Sequence, residues 1–169
     1  MVVGGTALNL LRVVERATRD VDVIATATPR SDGPPTEVRP PEPLARALTD
    51  AISAVARDLA LPPDWLNTTV AAQWRTGLPP GFASRIVWSA DGGLWVGVAG
   101  RLDLIYLKLY AAADDIGPAS RHFSDLLALR PTPDELAAAR TWITDTQDPS
   151  PAVAHALEAV TAHVRTAGR

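Results

Sequence analysis

Val2-Val3-Gly4-Gly5-Thr6-Ala7-Leu8-Asn9-Leu10-Leu11, followed by Arg16-Ala17-Thr18-Arg19-Asp20-Val21-Asp22-Val23-Ile24-Ala25, is the stretch on which the fold of this chain turns. Met1, Val2 and Val3 read as the end of a short apolar strand running into a glycine pair. Ala7, Leu8, Leu10, Leu11 and Val14 then recur at the spacing of a helix. From residue 19 to 25 the period changes to two, with Val21 and Val23 on one face and Asp20, Asp22 and Ile24 on the other, which predicts a strand. The opening is strand, tight turn, helix, strand. A three-residue strand at the very start has little to pair with, so either a segment precedes it or the sheet edge there is minimal.

Working outward, residues 27–43 hold Pro29, Pro34, Pro35, Pro40, Pro41 and Pro43 together with Asp32-Gly33, and predict an exposed loop. Leu44, Ala47, Leu48, Ala51, Ile52, Val55 and Leu59 predict a helix over about 43–61. Residues 61–67 read as a turn into a short helix or irregular segment carrying Trp65. Residues 85–89 and 94–99 are β-like runs around Asp91-Gly92-Gly93, a hairpin. Helical spacing marks 103–115, 118–129, 133–145 and 151–166. Thr132-Pro133-Asp134-Glu135 offers an N-cap, a first-turn proline and a capping-box glutamate, and Ser150-Pro151 repeats the cap and proline. The fold class expected is α+β: a small mixed sheet within residues 1–100 and a helical portion, 101–169, packed on it as a single compact unit.

The chain has 169 residues, 47% hydrophobic and 21% charged, enough for one sizeable core. With no cysteine, disulfides and thiolate metal sites are excluded, and His122, His155 and His163 are too scattered to suggest a zinc site, so any metal must be held by oxygen. No uncharged run is long enough to span a bilayer and the start lacks a basic leader; a cytoplasmic protein with no membrane partner is expected. A net charge of −3 provides no global attraction to nucleic acid, so RNA contact needs a local basic patch, for which Arg12, Arg16 and Arg19 are candidates. Their other reading is helix-surface ion pairing. Of 16 basic residues, the only lysine is Lys108.

Gly4-Gly5-Thr6 at a strand-to-helix junction leaves backbone N–H groups free beside no bulky side chain, a seat for phosphate; tight packing alone also explains a glycine pair. The turn is neither a Walker loop nor a Rossmann turn. Asp20 and Asp22, alternate on a strand, put two carboxylates on one face. That suits one or two hard cations, since without one the pair repels, unless the face is merely solvated. Lys108 lies among Leu104, Ile105, Leu107 and Leu109, where a snorkelling side chain is the plain reading. Arginine serves that role equally, so lysine against an arginine background points to a compact ammonium acting on a phosphate. Asp125 shares helical spacing with His122, Leu126 and Leu129, and its plain reading is a pairing with Arg121 or His122. Asp103 and Asp115 are weaker candidates. Trp65, Trp88 and Trp95 read as core or partner-contact residues.

Strand, Gly-Gly-Thr, helix, then Arg-x-x-Arg-Asp-x-Asp over residues 16–22 resembles the signature of the polymerase-β nucleotidyltransferase superfamily, in which Gly-Gly or Gly-Ser precedes a strand bearing Asp-x-Asp. Residues 101–115 and 122–136 are similar to the helical part of minimal nucleotidyltransferases related to the AbiEii and MenT toxins of bacterial toxin–antitoxin systems. Those carry a lysine on one helix and an aspartate on the next, both facing the nucleotide, and Lys108 and Asp125 fall at the matching positions. The likeness runs from Val2 to about Trp142. It implies Gly4, Gly5, Thr6 and Lys108 on a nucleoside triphosphate, and Asp20 and Asp22 on Mg²⁺, with Mn²⁺ as a substitute. Asp125 would hold Lys108 or assist deprotonation of the nucleophile. The implied reaction moves a nucleotide from NTP to a hydroxyl of RNA, such as a tRNA end, or of a protein, and the implied partner is an antitoxin protein. One departure stands out: active polymerases of the superfamily usually have a third carboxylate on a later strand, and residues 94–99 have none, with Gly97 in the middle. The alternative is therefore a catalytically degenerate nucleotidyltransferase fold that serves as a nucleotide- or partner-binding module.

Overall fold

A computed structural model of the chain describes residues 1–28, 30, 32–115 and 117–167. In chain order its elements are α1 (Gly4–Leu10), β1 (Val21–Asp22), β2 (Thr26–Ala27), β3 (Val38–Arg39), α2 (Arg46–Asp58), β4 (Leu66–Asn67), β5 (Val87–Asp91), β6 (Leu94–Val98), α3 (Arg101–Asp114), α4 (Arg121–Ala128), α5 (Pro133–Thr146) and α6 (Pro151–Ala167). The result is an α+β fold.

Val2 ties the sheet together. It bridges Val23 antiparallel on one side and Val98 parallel on the other. Its N–H donates to the Gly97 carbonyl at 2.8 Å and its carbonyl accepts from Ala99 at 3.1 Å, while Val3 donates to the Asp22 carbonyl at 3.0 Å. Outside Val23, β1 pairs in parallel with β4, matching Asp22 with Asn67; outside Val98, β6 pairs antiparallel with β5. The opening strand is therefore one residue wide at its bridges but is paired along both edges.

The alternation read over residues 19–25 is visible in what each side chain meets. Val21, Val23 and Ala25 line an apolar cavity of about 400 Å³, together with Trp65, Trp88 and Trp95. Asp20 and Asp22 line a separate polar cleft, and Ile24 is fully buried in the core. The ladder itself is shorter than the pattern, and Asp20 lies just before β1.

Helix α3 is the centre of the core. Leu104, Ile105, Leu109 and Ala112 are fully buried, and α4, α5 and α6 all pack against it. A single hydrophobic cluster runs from Val2 and Leu8 through α3 to Val164. Two of the charged residues on this helix are buried. Asp103 is fully buried and bound by the Arg85 guanidinium through Nε at 3.1 Å; Lys108 belongs to the polar cleft. Asp103 is thus a structural counterion.

Several local readings differ from the structure. Within 27–43, Thr26 pairs with Arg39 and Ala27 with Val38, so the proline-rich segment is tied at its base by a two-residue ladder. Residues 66 and 67 form β4 where a helix or irregular segment is read, because two residues are too few to show a period and the pairing with β1 decides them. The helix read from Pro118 begins at Arg121, since the Ser120 hydroxyl accepts the His122 N–H at 3.0 Å and caps it there. The hairpin turn is as read, with Gly92 and Gly93 at φ 53° and 84°. So is the start of α5, where the Thr132 hydroxyl accepts from Glu135 N and the Glu135 carboxylate accepts from Thr132 N.

Candidate active site

A polar cleft of about 270 Å³ is lined by Gly5, Arg16, Thr18, Asp20, Asp22, Lys108, Arg121 and His122. Three segments build it: the glycine turn with the strand that follows α1, the middle of α3, and the start of α4. Of the residues singled out from sequence, Gly5, Arg16, Asp20, Asp22 and Lys108 line this cleft, whereas Gly4, Thr6 and Asp125 stand behind it.

Gly4 and Gly5 are small for a steric reason. Gly4 has φ 67°, and a Cβ on it would lie 2.2 Å from Asp22 Oδ2. A Cβ on Gly5 would sit 3.0 Å from Thr18 Oγ1 and 3.5 Å from an Arg16 guanidinium nitrogen. The turn lets the backbone approach the acidic strand closely, and the N–H groups of Gly4, Gly5 and Thr6 have no hydrogen-bond partner among the described residues. Gly4→Ala is expected to cost about 1–2 kcal/mol for the left-handed backbone and to push the Asp22 carboxylate aside. Urea denaturation reads the first effect, and Mg²⁺ titration, with a loss of affinity, reads the second.

The Thr6 hydroxyl donates to the Asp20 carbonyl at 2.9 Å, and the Thr18 hydroxyl donates to the same carbonyl at 3.2 Å. Both position the acidic strand. Asp20 is exposed at the rim, whereas Asp22 is partly buried and accepts from Asn67 Nδ2 at 3.3 Å. Burial first, and then the charge of Asp20, hold the Asp22 carboxyl above the usual range; the Asn67 bond and the Lys108 charge oppose them.

Beside the carboxylates lies a buried ion-pair hub. Asp125 is 3% exposed and Lys108 5% exposed, so neither charge is tolerable alone. Lys108 Nζ stands 2.7 Å from Asp125 Oδ2, and one Arg16 nitrogen donates to both Asp125 oxygens at 2.9 Å. Asp125 thus pairs with Arg16 and Lys108, rather than with Arg121 or His122. Asn9 of α1 fixes the Arg16 backbone by donating to its carbonyl at 2.9 Å and accepting its N–H at 3.2 Å. Arg16 belongs to the cleft, while Arg12 and Arg19 are exposed outside its lining.

Thr18, Arg121, His122 and Asn67 join the site without having been singled out for it. The three lining residues lie one to four positions from motif residues, so neighbourhood was the available signal. Asn67 carries none, because its place beside Asp22 depends on the β1–β4 register.

The donor set suits a hard divalent cation: two carboxylates border one cleft, one of them strained by burial and by its neighbour, and Gly4 leaves its Cβ space to Asp22 Oδ2. Among the described residues there is no cluster of three or more His, Asp or Glu side chains placed to hold a metal. Gly97 of β6 has no room for a carboxylate: a Cβ there would meet Met1 Cγ at 2.6 Å and Trp88 Cζ3 at 2.8 Å. No helix among the described residues is long and apolar enough to cross a membrane. No protein-family model, curated protein or solved structure matches the chain.

Proposed function

We propose that the chain is a nucleotidyltransferase, moving a nucleotide from an NTP to a hydroxyl of RNA, such as a tRNA end, or of a protein. The observation that carries this reading is the meeting of Asp20 and Asp22 with Arg16, Lys108 and Arg121 in one small polar cleft beside a glycine turn. Two neighbouring carboxylates repel each other, and with three cationic side chains around the same cleft they suit a ligand of mixed charge, as a metal–polyphosphate is. At about 270 Å³ the cleft falls short of the roughly 300–1,000 Å³ typical of whole-ligand pockets, so it takes the polyphosphate and leaves the base at the rim.

Asp20 and Asp22 would hold Mg²⁺ or Mn²⁺, which when bound neutralises phosphate charge and acidifies the attacking hydroxyl. Lys108, Arg16 and Arg121 offset the remaining phosphate charge, with Asp125 keeping Lys108 and Arg16 in place. The backbone N–H groups of the glycine turn add donors. The acceptor oxygen attacks the α-phosphorus as the bond to pyrophosphate breaks, and the chain contributes chiefly position and charge. Resemblance extends the proposal to a toxin whose partner is an antitoxin protein.

The packing around Gly97 favours a second reading, a nucleotide-binding module without turnover. Incubation with Mg²⁺, each labelled NTP and total tRNA separates the two. Incorporation that disappears in Asp22→Asn is the expected result; saturable nucleotide binding with no incorporation at any metal concentration assigns the module instead.

A further inference from the structure

His122 occupies the second position of α4, and its ring lines the polar cleft. Ring Nδ1 lies 3.3 Å from Lys108 Nζ. An ammonium group has protons to donate and no lone pair, so this contact is attractive only when Nδ1 carries the lone pair. The Lys108 ammonium is ion-paired with Asp125 Oδ2, 2.7 Å away. A doubly protonated ring would set an N–H against that ammonium.

The surroundings agree. Burial and then Lys108 lower the His122 pKa from its ordinary 6.5, Asp125 and Asp115 pull it upward, and Arg121 lowers it again, with a net downward shift. The positive end of α4 acts in the same direction. Both the contact and the shift favour a neutral ring with its proton on Nε2. That atom has no hydrogen-bond partner among the described residues, and His122 is part of the cleft lining.

We infer that His122 is a phosphate-oxygen donor: Lys108 fixes its ring as the neutral Nε2–H tautomer, which offers an N–H to a polyphosphate in the cleft and does not serve as a base. The ligand rests on the nucleotide reading of the cleft, whereas the tautomer does not. A ring whose Nδ1 lone pair faces an ammonium already carries its one proton at Nε2 and could take a second only at Nδ1, against that ammonium, so its use to the site is donation.

Two measurements on the full chain test this. Nitrogen-15 NMR of the histidine ring is expected to show the neutral Nε2–H form near pH 7, and Lys108→Met is expected to release it into a mixture of tautomers. Calorimetric titration with inorganic tripolyphosphate in EDTA is expected to show His122→Phe binding about tenfold more weakly than wild type. His122→Gln, whose amide also donates, stays within about threefold. An Nδ1–H or charged ring overturns the inference. So does wild type binding tripolyphosphate no better than His122→Phe. If wild type binds no tripolyphosphate with or without Mg²⁺, the nucleotide reading falls and the donor role falls with it, and the NMR result shows whether the ring assignment failed as well.

Discussion

Asp22→Asn is expected to raise the melting temperature of the metal-free protein by roughly 2–4 °C and to lower nucleotide transfer by about 10³-fold. Both effects have one origin. Burial, and secondarily Asp20, push the Asp22 carboxyl above its ordinary 3.8, against the pull of Asn67 and Lys108. When the folded value exceeds the unfolded one, the native state binds more protons across the interval between them. Stability then falls as pH rises through that interval. The amide removes this loss and keeps an acceptor for Asn67 Nδ2, but gives up the anion a cation needs. Melts in EDTA should show no advantage for the variant at about pH 3 and a growing one toward neutrality. A variant less stable than wild type at neutral pH would mean that Asp22 is satisfied by the protein itself. With Mg²⁺ added, wild type should gain stability and the variant should not.

Asp125→Asn should act in the opposite direction, costing about 3–5 kcal/mol and lowering the urea midpoint by roughly 1.5–2 M. The Lys108 and Asp125 side chains are only 6% and 4% exposed, so removing the anion leaves a buried ammonium, and Arg16 loses its charged partner too. Adding Lys108→Met to that variant should recover much of the loss, because the isolated charge goes with it. A double-mutant cycle in urea measures the coupling, expected at about 2 kcal/mol or more. Additivity within about 0.5 kcal/mol would show that Lys108 finds another counterion. Neither single variant should transfer nucleotides, because Lys108 lines the cleft and Asp125 holds it there, whereas Arg85 and Asp103 pair with each other outside the lining.

The site was legible where a residue's chemistry was unusual for its surroundings. Lys108 stood out as the one lysine, and Asp20 and Asp22 as carboxylates repeating at a strand's period. Gly4 and Gly5 stood out at a change of period. What composition concealed was partnership. Asp125 lies three residues from His122 and four from Arg121, so helical spacing favoured those neighbours, yet its partners are Arg16, 109 residues away, and Lys108. Thr6 was read with the glycine turn, and what the sequence did not show is that its hydroxyl supports the acidic strand through the Asp20 carbonyl.

Local pattern, caps and turn residues were enough to locate the long elements: α2, the β5–β6 hairpin, α3, α5 and α6 follow from periodicity, from Thr132 and Ser150, and from Gly92-Gly93, because each is long enough to show a period or carries its own start or turn signal. Only the tertiary structure decided the one-residue bridge at Val2, the two-residue strand β4 beside Asp22, and the hub that joins Arg16, Lys108 and Asp125. Segments that short have no period to read, and a buried charge is stabilised by whichever opposite charge the folded chain brings within a few ångströms, a distance that separation along the sequence does not set.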